Sequence, residues 1–328
     1  MSIAFFGDLH LNQFKQFSTT LPSGLNSRLV EQMQVVGKIG DALRTTDTAI
    51  FLGDLIDSYG ETLPKIIYSA AFHSLKTWAK KCKHLYVLVG NHDRYRNLSI
   101  VHTFEEIDNV TVVSDSAKIH VEGYEIDLIS WLSPIPDNKG DILAAHLMPI
   151  GAQLGALYRA RSEEGVPIQS FAGYRYIILG HCHEPQELAI PKSPAVVQCI
   201  GSIMQLNLSS SPVPRYLHRL EGSKWSKVEI KSNKLYTQVI NDQREADRFF
   251  SSDREPGYYK LILTDHTIQT PPQDHTVVIE YDIKPKAGEQ VIDDIKDIDL
   301  LETINEFIDN TNTKIDKKLA KDYLAKMY

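Results

Sequence analysis

Five short apolar runs in this chain stop on side chains that hold protons or metal ions, and this recurrence limits the fold more than any other feature. His84-Leu85-Tyr86-Val87-Leu88-Val89 is too apolar for a surface segment, and it runs directly into Gly90-Asn91-His92-Asp93. Such a run suits a strand covered on both faces. Ser2–Phe6 ends in the same way on Gly7-Asp8-Leu9-His10, and Thr48–Leu52 ends on Gly53-Asp54, with Asp57 three residues on. Asp141–Ala145 ends on His146, and Tyr174–Leu179 ends on Gly180-His181-Cys182-His183. Any one tip reads equally as a polar turn, because Asn and Asp are common turn formers. Together they read as one site, since open α/β sheets gather their chemistry at the carboxyl ends of strands.

The first three strands are separated by helical patterns. Leu29, Met33, Val36, Gly40 and Leu43 form one stripe from Ser27, and Ile66, Ile67, Ala70, Leu75 and Trp78 form another between Leu63 and Lys81. Crossovers of this length make βαβ units and a largely parallel sheet. After Ile107 the runs shorten. Val110–Val113, Ala117–Val121 and Tyr124–Trp131 read as neighbours in a second sheet, the last two joined through Glu122-Gly123, and Ala195–Ile200 reads as the last core strand. The predicted class is therefore α/β, with two packed sheets flanked by helices and their polar tips gathered at one edge.

Ser209–Pro214 has the composition of a linker. Beyond it, Tyr216–Leu220, Lys227–Ile230, Leu235–Ile240, Tyr258–Leu263 and Thr276–Ile283 are strand-like, with a small helix over Asp242–Phe250. This is read as a separate α+β module. From Asp299 two helices are predicted, striped by Leu300, Leu301, Ile304, Phe307 and Ile308 and by Ile315, Leu319, Tyr323, Leu324 and Met327. The expected divisions are 1–211, 212–290 and 291–328.

Composition excludes little: 42% hydrophobic and 23% charged residues over 328 positions describe an ordinary soluble chain. A formal charge of -7 announces no general nucleic-acid field, although bound metals or local cations can carry phosphate affinity on an acidic protein. The cysteines Cys82, Cys182 and Cys199 are sparse and unpatterned, which implies a reducing, cytoplasmic setting. No signal peptide or membrane-spanning run is expected.

Asp8, His10, Asp54, Asn91, His146, His181 and His183 mix carboxylate, imidazole and carboxamide, a donor set for Mn²⁺, Fe²⁺ or Zn²⁺ that needs no thiolate. Asp8 and His10, two apart in extended chain, would point to one side. The ordered motifs Asp8-Leu9-His10, Gly53-Asp54-Leu55-Ile56-Asp57, Gly90-Asn91-His92-Asp93, His146 and Gly180-His181-Cys182-His183 resemble the five motifs of calcineurin-like metallophosphoesterases. The resemblance covers roughly the first two-thirds of the chain and implies a four-layer αββα sandwich. It implies one divalent ion on Asp8, His10, Asp54 and His183 and a second on Asp54, Asn91, His146 and His181, with Asp54 bridging. Mn²⁺ is the expected metal, with Mg²⁺, Fe²⁺ or Zn²⁺ as alternatives. His92 is implied to stabilise charge or protonate the leaving oxygen, oriented by Asp57. Arg94 and Arg96 are candidate phosphate contacts, and Asp93 is expected to hold its loop.

Protein Ser/Thr phosphatases usually follow the second motif with Arg-Gly and write Asn-His-Glu in the third, whereas this chain has Asp57-Ser58-Tyr59 and Asn91-His92-Asp93. With its strand Ile126–Leu132 and appended module, the chain resembles the Mre11/SbcD nucleases, most of all the phage-encoded recombination endonuclease subunits. That resemblance implies DNA as substrate, a Rad50/SbcC-type ATPase partner bound by the terminal helices, a homodimer within a heterotetramer, and a host-cytoplasmic location if phage-encoded. The alternative is another phosphodiesterase or phosphatase of the superfamily, acting on a small nucleotide or phosphoprotein.

Overall fold

The apolar run Ser2–Phe6 is buried along its whole length, as a strand covered on both faces must be, and it forms the interior of the first sheet. The computed structural model describes residues 2–58, 63–95, 98–154, 158–161 and 165–282. The chain divides into two units, Met1–Tyr281 and Asp282–Tyr328, and all the described helices and strands lie in the first.

In chain order the first strands are β1 (Ser2–Phe6), β2 (Thr46–Phe51), β3 (Cys82–Leu88), the two-residue pair β4 (Arg94–Tyr95) and β5 (Leu98–Ser99), and β6 (Val110–Val113). Then follow β7 (Ser116–Val121), β8 (Tyr124–Ile129), β9 (Ile142–Ala145), β10 (Tyr176–Leu179), β11 (Gln186–Ala189) and β12 (Val196–Cys199). The last are β13 (Tyr216–Glu221), β14 (Lys224–Glu229), β15 (Lys234–Ile240), β16 (Gly257–Leu263) and β17 (Val277–Tyr281). One sheet runs β14-β13-β1-β2-β3-β6 and a second runs β11-β12-β10-β9-β8-β7. In the first, β1, β2, β3 and β6 are parallel; in the second, β8, β9, β10 and β12 are. The hairpin β7–β8 turns on Glu122 and Gly123, both left-handed, as a tight two-residue loop requires.

The inner faces of the two sheets pack on each other through Ile3, Phe5, Ile50, Leu52 and Leu88 against Ile126, Leu128, Ile142, Ala144 and Ile178. The outer face of the first sheet is covered by α1 (Ser27–Ala42) and α2 (Lys65–Ala79). Asn26 starts α1 by accepting the Leu29 N–H at 3.1 Å, and Pro64 precedes the first turn of α2, where a missing N–H does no harm. Trp78 locks the layer: its indole donates to the Val36 carbonyl at 3.0 Å, and its ring meets Phe6 and Phe51 edge-on or tilted.

The two-sheet sandwich is the expected one, with three differences in detail. Val110–Val113 pairs with β3 and so belongs to the first sheet, because the chain between β3 and β6 crosses over and returns parallel. Tyr216–Glu221 and Lys224–Glu229 also extend the first sheet, β13 lying antiparallel on β1, so the boundary expected at 211/212 falls inside a sheet. On the outer face of the second sheet the described cover is irregular chain with one 3₁₀ turn (Ile168–Phe171), whose Phe171 is buried in that cluster. Pro149, Gly151, Gly165 and Pro167 interrupt any longer helix there.

β15, β16 and β17 form a small parallel sheet. Between β15 and β16 lies α3 (Gln243–Ser251), capped by Asp242, with Ala246 and Phe249 packed on Ile240, Leu261 and Leu263. The helices expected from Asp299, and the segment 291–328 as a whole, lie outside the described residues.

Candidate metal centre

Parallel strands deliver their carboxyl ends to one edge, and here two sheets deliver them to the same edge. The tips interlock across the sandwich: His146 Nδ1 donates to the Leu52 carbonyl at 2.7 Å, and the His181 N–H reaches both Asp8 carboxylate oxygens at 2.9 and 3.2 Å. Asp8, His10, Asp54 and His181 all adopt left-handed backbone conformations, with φ of 55°, 49°, 54° and 75°. Each such non-glycine residue costs on the order of 1–3 kcal/mol and persists where surrounding bonds over-determine it. Those bonds are visible: Asp8 N donates to Gly53 O at 2.9 Å, and Leu9 N and His10 N both donate to Asp54 O at 3.0 Å.

The side chains converge. Asp8, His10, Asp54 and His183 have ligand atoms within 4.8 Å of one another, and so do Asp54, His146 and His181. Asp54 belongs to both groups. Its Oδ2 lies 3.3 Å from His10 Nε2 and 3.3 Å from His146 Nε2, while its Oδ1 accepts the His92 N–H at 2.9 Å. Asn91 joins the second group through Oδ1, 3.0 Å from His146 Nε2.

The balance of donors and acceptors fits two cations. Because His146 commits its Nδ1–H to a carbonyl, the neutral ring turns a bare Nε2 toward an amide oxygen and a carboxylate oxygen. Asp54 Oδ2 and His10 Nε2 are buried without a hydrogen-bond partner. Buried acceptors facing acceptors are costly unless a positive charge lies between them.

The same Asp54 carboxylate also competes for protons. Burial opposes protonation of His10 and His146, yet the Asp54 carboxylate outweighs it and drives them up to about 10 and about 9. Burial holds the Asp8 carboxyl up at about 6, and burial together with His146 pushes His181 down to about 3. The pocket draws positive charge toward Asp54.

His92 and Asp57 form a separate pair at the rim. His92 Nδ1 lies 2.8 Å from Asp57 Oδ1, and Asn12 Nδ2 donates to the other Asp57 oxygen at 2.9 Å. Burial would raise the Asp57 carboxyl, but hydrogen bonds to His10 and His92 hold it far below the usual carboxylate range. Asp93 is buried and binds the Ile56 N–H at 3.0 Å and the Gly90 N–H at 3.1 Å, so it ties the second motif to the third. Arg94 donates to the Ser114 carbonyl at 2.7 Å, which commits part of its guanidinium to the loop after β6. Arg96 lies outside the described residues. Cys182 turns into the second sheet's outer core, its sulfur 3.3 Å from that of Met148, and is no ligand.

Several supports were not anticipated. Gln32, buried on α1, donates to the carbonyls of Leu9 and His10 at 3.1 and 2.8 Å and accepts the Asn12 N–H. Its place on the stripe with Leu29 and Val36 was the available signal. Trp131 packs on His181 with ring centroids 4.7 Å apart. A cavity of about 200 Å³ opens over Asp54, His92, His181 and His183, with Met148, Leu154, Asn207 and Ser210 opposite.

Gly90 tests how tightly the centre is built. A Cβ there would overlap Asp54 Oδ1 and lie 2.5 Å from Asp54 N, with no flexible neighbour to give way. Gly90→Ala is expected to weaken divalent-metal affinity by about tenfold or more, the usual effect of disturbing a ligand's support. Gly37→Ala on α1, where the added methyl meets nothing within 4 Å, is the matched control and should leave metal binding unchanged. Calorimetric Mn²⁺ titration reads both, and unaltered affinity in Gly90→Ala would contradict the tight packing.

A sandwich of two sheets whose parallel strands present two His/Asp groups sharing one carboxylate has the donor set of a dinuclear metal site. The sequence matches the family model described as calcineurin-like phosphoesterase over residues 1–185, and the chain belongs to that family. Solved structures with some likeness include a purple acid phosphatase from yellow lupin, at 10% identity over 71% of this chain and 52% of that one, with a TM-score of 0.46. A 5'-nucleotidase precursor from Thermus thermophilus shows 12% identity over 71% of this chain and 54% of that one, TM-score 0.38. A predicted phosphoesterase from Streptococcus pneumoniae shows 12% identity over 71% and 91%, TM-score 0.33. This chain thus spans about half the length of the lupin and Thermus proteins. No curated protein matches it. No helix among the described residues is long and apolar enough to cross a membrane.

Proposed function

We propose that the chain is the nuclease subunit of an Mre11/SbcD-type DNA repair and recombination complex, hydrolysing DNA phosphodiesters with two divalent ions, Mn²⁺ by preference. The motif pattern carries this reading, and the size of the cavity over the candidate metal ligands is compatible with it. About 200 Å³ is less than the roughly 300–1,000 Å³ that encloses a whole small ligand. Such a cavity takes a phosphate group and leaves the rest of the substrate outside, which suits DNA and a phosphoprotein alike and disfavours an enclosed nucleotide. The third motif adds support, since Asp93 fits between Ile56 N and Gly90 N where the protein phosphatases usually write a longer Glu.

One ion would sit on Asp8, His10, Asp54 and His183 and the other on Asp54, Asn91, His146 and His181, supplying Lewis-acid polarisation of the phosphate and a more acidic attacking water. The chain's own residues do the rest. His92 lines the cavity beside Asp54, and Asp57 holds its Nδ1 and so fixes the direction of the ring. His92 then gives its proton to the departing oxygen as the ester bond breaks. Asn12 and Gln32 hold the Asp57 and His10 loops so that little reorganisation accompanies the step.

The resemblance also motivates a Rad50/SbcC-type ATPase partner bound by residues 291–328, a homodimer within the heterotetramer, and a cytoplasmic location. The experiment is a comparison of rates with Mn²⁺ on a DNA oligonucleotide, bis(p-nitrophenyl) phosphate and p-nitrophenyl phosphate. DNA and the diester should be cleaved and the monoester turned over poorly. Efficient turnover of small esters or phosphopeptides with intact DNA would reject the nuclease and favour the phosphatase alternative.

A further inference from the structure

The least restrained ligand of the first group is His183. Its imidazole is partly exposed and lies 3.9 Å from Asp8, so its position depends on its backbone. That backbone is held from an unexpected direction. The buried Arg215 donates Nη1 to the His183 carbonyl at 2.5 Å and Nη2 to the Ser211 carbonyl at 3.0 Å. Ser202 N adds a bond to the same His183 carbonyl at 3.2 Å.

The neighbouring residue closes the loop. Glu184, also buried, accepts the Ser211 N–H at 2.6 Å, so residues 183–184 grip Ser211 from both sides. The segment before Ser211 is internally braced: Asn207 Oδ1 accepts the Ser210 N–H at 3.0 Å, and Gln205 donates to the Ser210 carbonyl at 2.7 Å. Asn207 and Ser210 line the same cavity as Asp54, His181 and His183.

We propose that Arg215 is a positioning residue that fixes the metal ligand His183 and, with Glu184, straps residues 207–211 across the site. Its location explains why this residue has the task. Arg215 immediately precedes β13, whose antiparallel register on β1 (His218 opposite Phe5) carries it toward the end of β1 that supplies Asp8. Although Nε has no hydrogen-bond partner, the two terminal nitrogens of its planar fork serve two carbonyls at once, which a lysine ammonium does less well. The inference rests on the metal reading of the site.

The test is calorimetric Mn²⁺ titration of the full chain with steady-state kinetics on bis(p-nitrophenyl) phosphate. The wild type should bind two ions. Arg215→Gln should bind one ion about 10–100-fold more weakly, the range for losing an outer support of a ligand, and keep the other. Arg215→Lys should recover part of that loss. Glu184→Ala should raise KM with both ions still bound. Arg219→Gln is the control: Arg219 lies on β13, the strand that Arg215 precedes, and donates to the Ala42 carbonyl, so its loss should lower stability without touching metal affinity. Amide exchange on the wild type needs no variant, and Ser202 and Ser211 should slow when Mn²⁺ binds. Wild-type affinity for both ions in Arg215→Gln, equal weakening in Arg219→Gln, or exchange indifferent to Mn²⁺ would each overturn the proposal. A wild type that binds fewer than two ions would instead overturn the metal reading beneath it.

Discussion

Asp54→Asn should empty both metal positions and lower turnover by roughly 10³-fold or more, because the metals carry several kcal/mol of transition-state stabilisation. The reason lies in one oxygen. Asp54 Oδ2 is 3.3 Å from His10 Nε2 and 3.3 Å from His146 Nε2, so it is the negative charge common to both groups. Asn has the same shape and can still accept the His92 N–H through its oxygen, which separates loss of charge from loss of loop structure. Without the carboxylate, the force that drives His10 up to about 10 and His146 up to about 9 disappears. Metal analysis of the purified variant, together with melting in the presence and absence of a chelator, checks this. Wild type should melt lower with chelator, since bound ions stabilise only the folded form, and Asp54→Asn should not respond. Two ions retained by Asp54→Asn would refute the bridging role.

His92→Ala is expected to behave in the opposite way. Metal content should stay at the wild-type value while kcat falls by about 10²–10⁴-fold, the range for losing a positioned general acid. His92 belongs to a cluster with Asp57 rather than to either Asp54 group, and its Nδ1 is taken by Asp57 at 2.8 Å. Asp57→Asn should do less harm alone, and Asp57→Asn/His92→Ala should be little worse than His92→Ala, since the two residues act as one unit. Asp57 also lies 3.7 Å from His10 Nδ1, so a modest loss of metal affinity belongs to its replacement but not to that of His92. Near-normal kcat in His92→Ala with both ions bound would remove His92 from the chemistry.

Much of the centre was legible because it is written as strand ends. Asp8, His10, Asp54, Asn91, His146, His181 and His183 each follow a short apolar run, and parallel strands of such runs bring their tips together whatever their exact neighbours. The supports were harder to see. Gln32 sits in a helix twenty-odd residues from the loop it clamps, and Arg215 directly follows a stretch with the composition of a linker. Nothing local distinguishes a buried Gln or Arg bonded to carbonyls from one in water.

The candidate ligands and their order along the chain were set by local pattern alone, because hydrophobic alternation and turn chemistry are properties of neighbouring residues. Sheet membership was not. Val110–Val113 reads the same in either sheet, and β13 looked like the start of another module until its hydrogen bonds placed it against β1. Pairing is a non-local choice, decided by which backbone donors and acceptors the packed chain brings within reach. The same packing turned Asp54 into the shared carboxylate and Arg215 into a buried clasp, since what a polar side chain does depends on the partners that water no longer supplies.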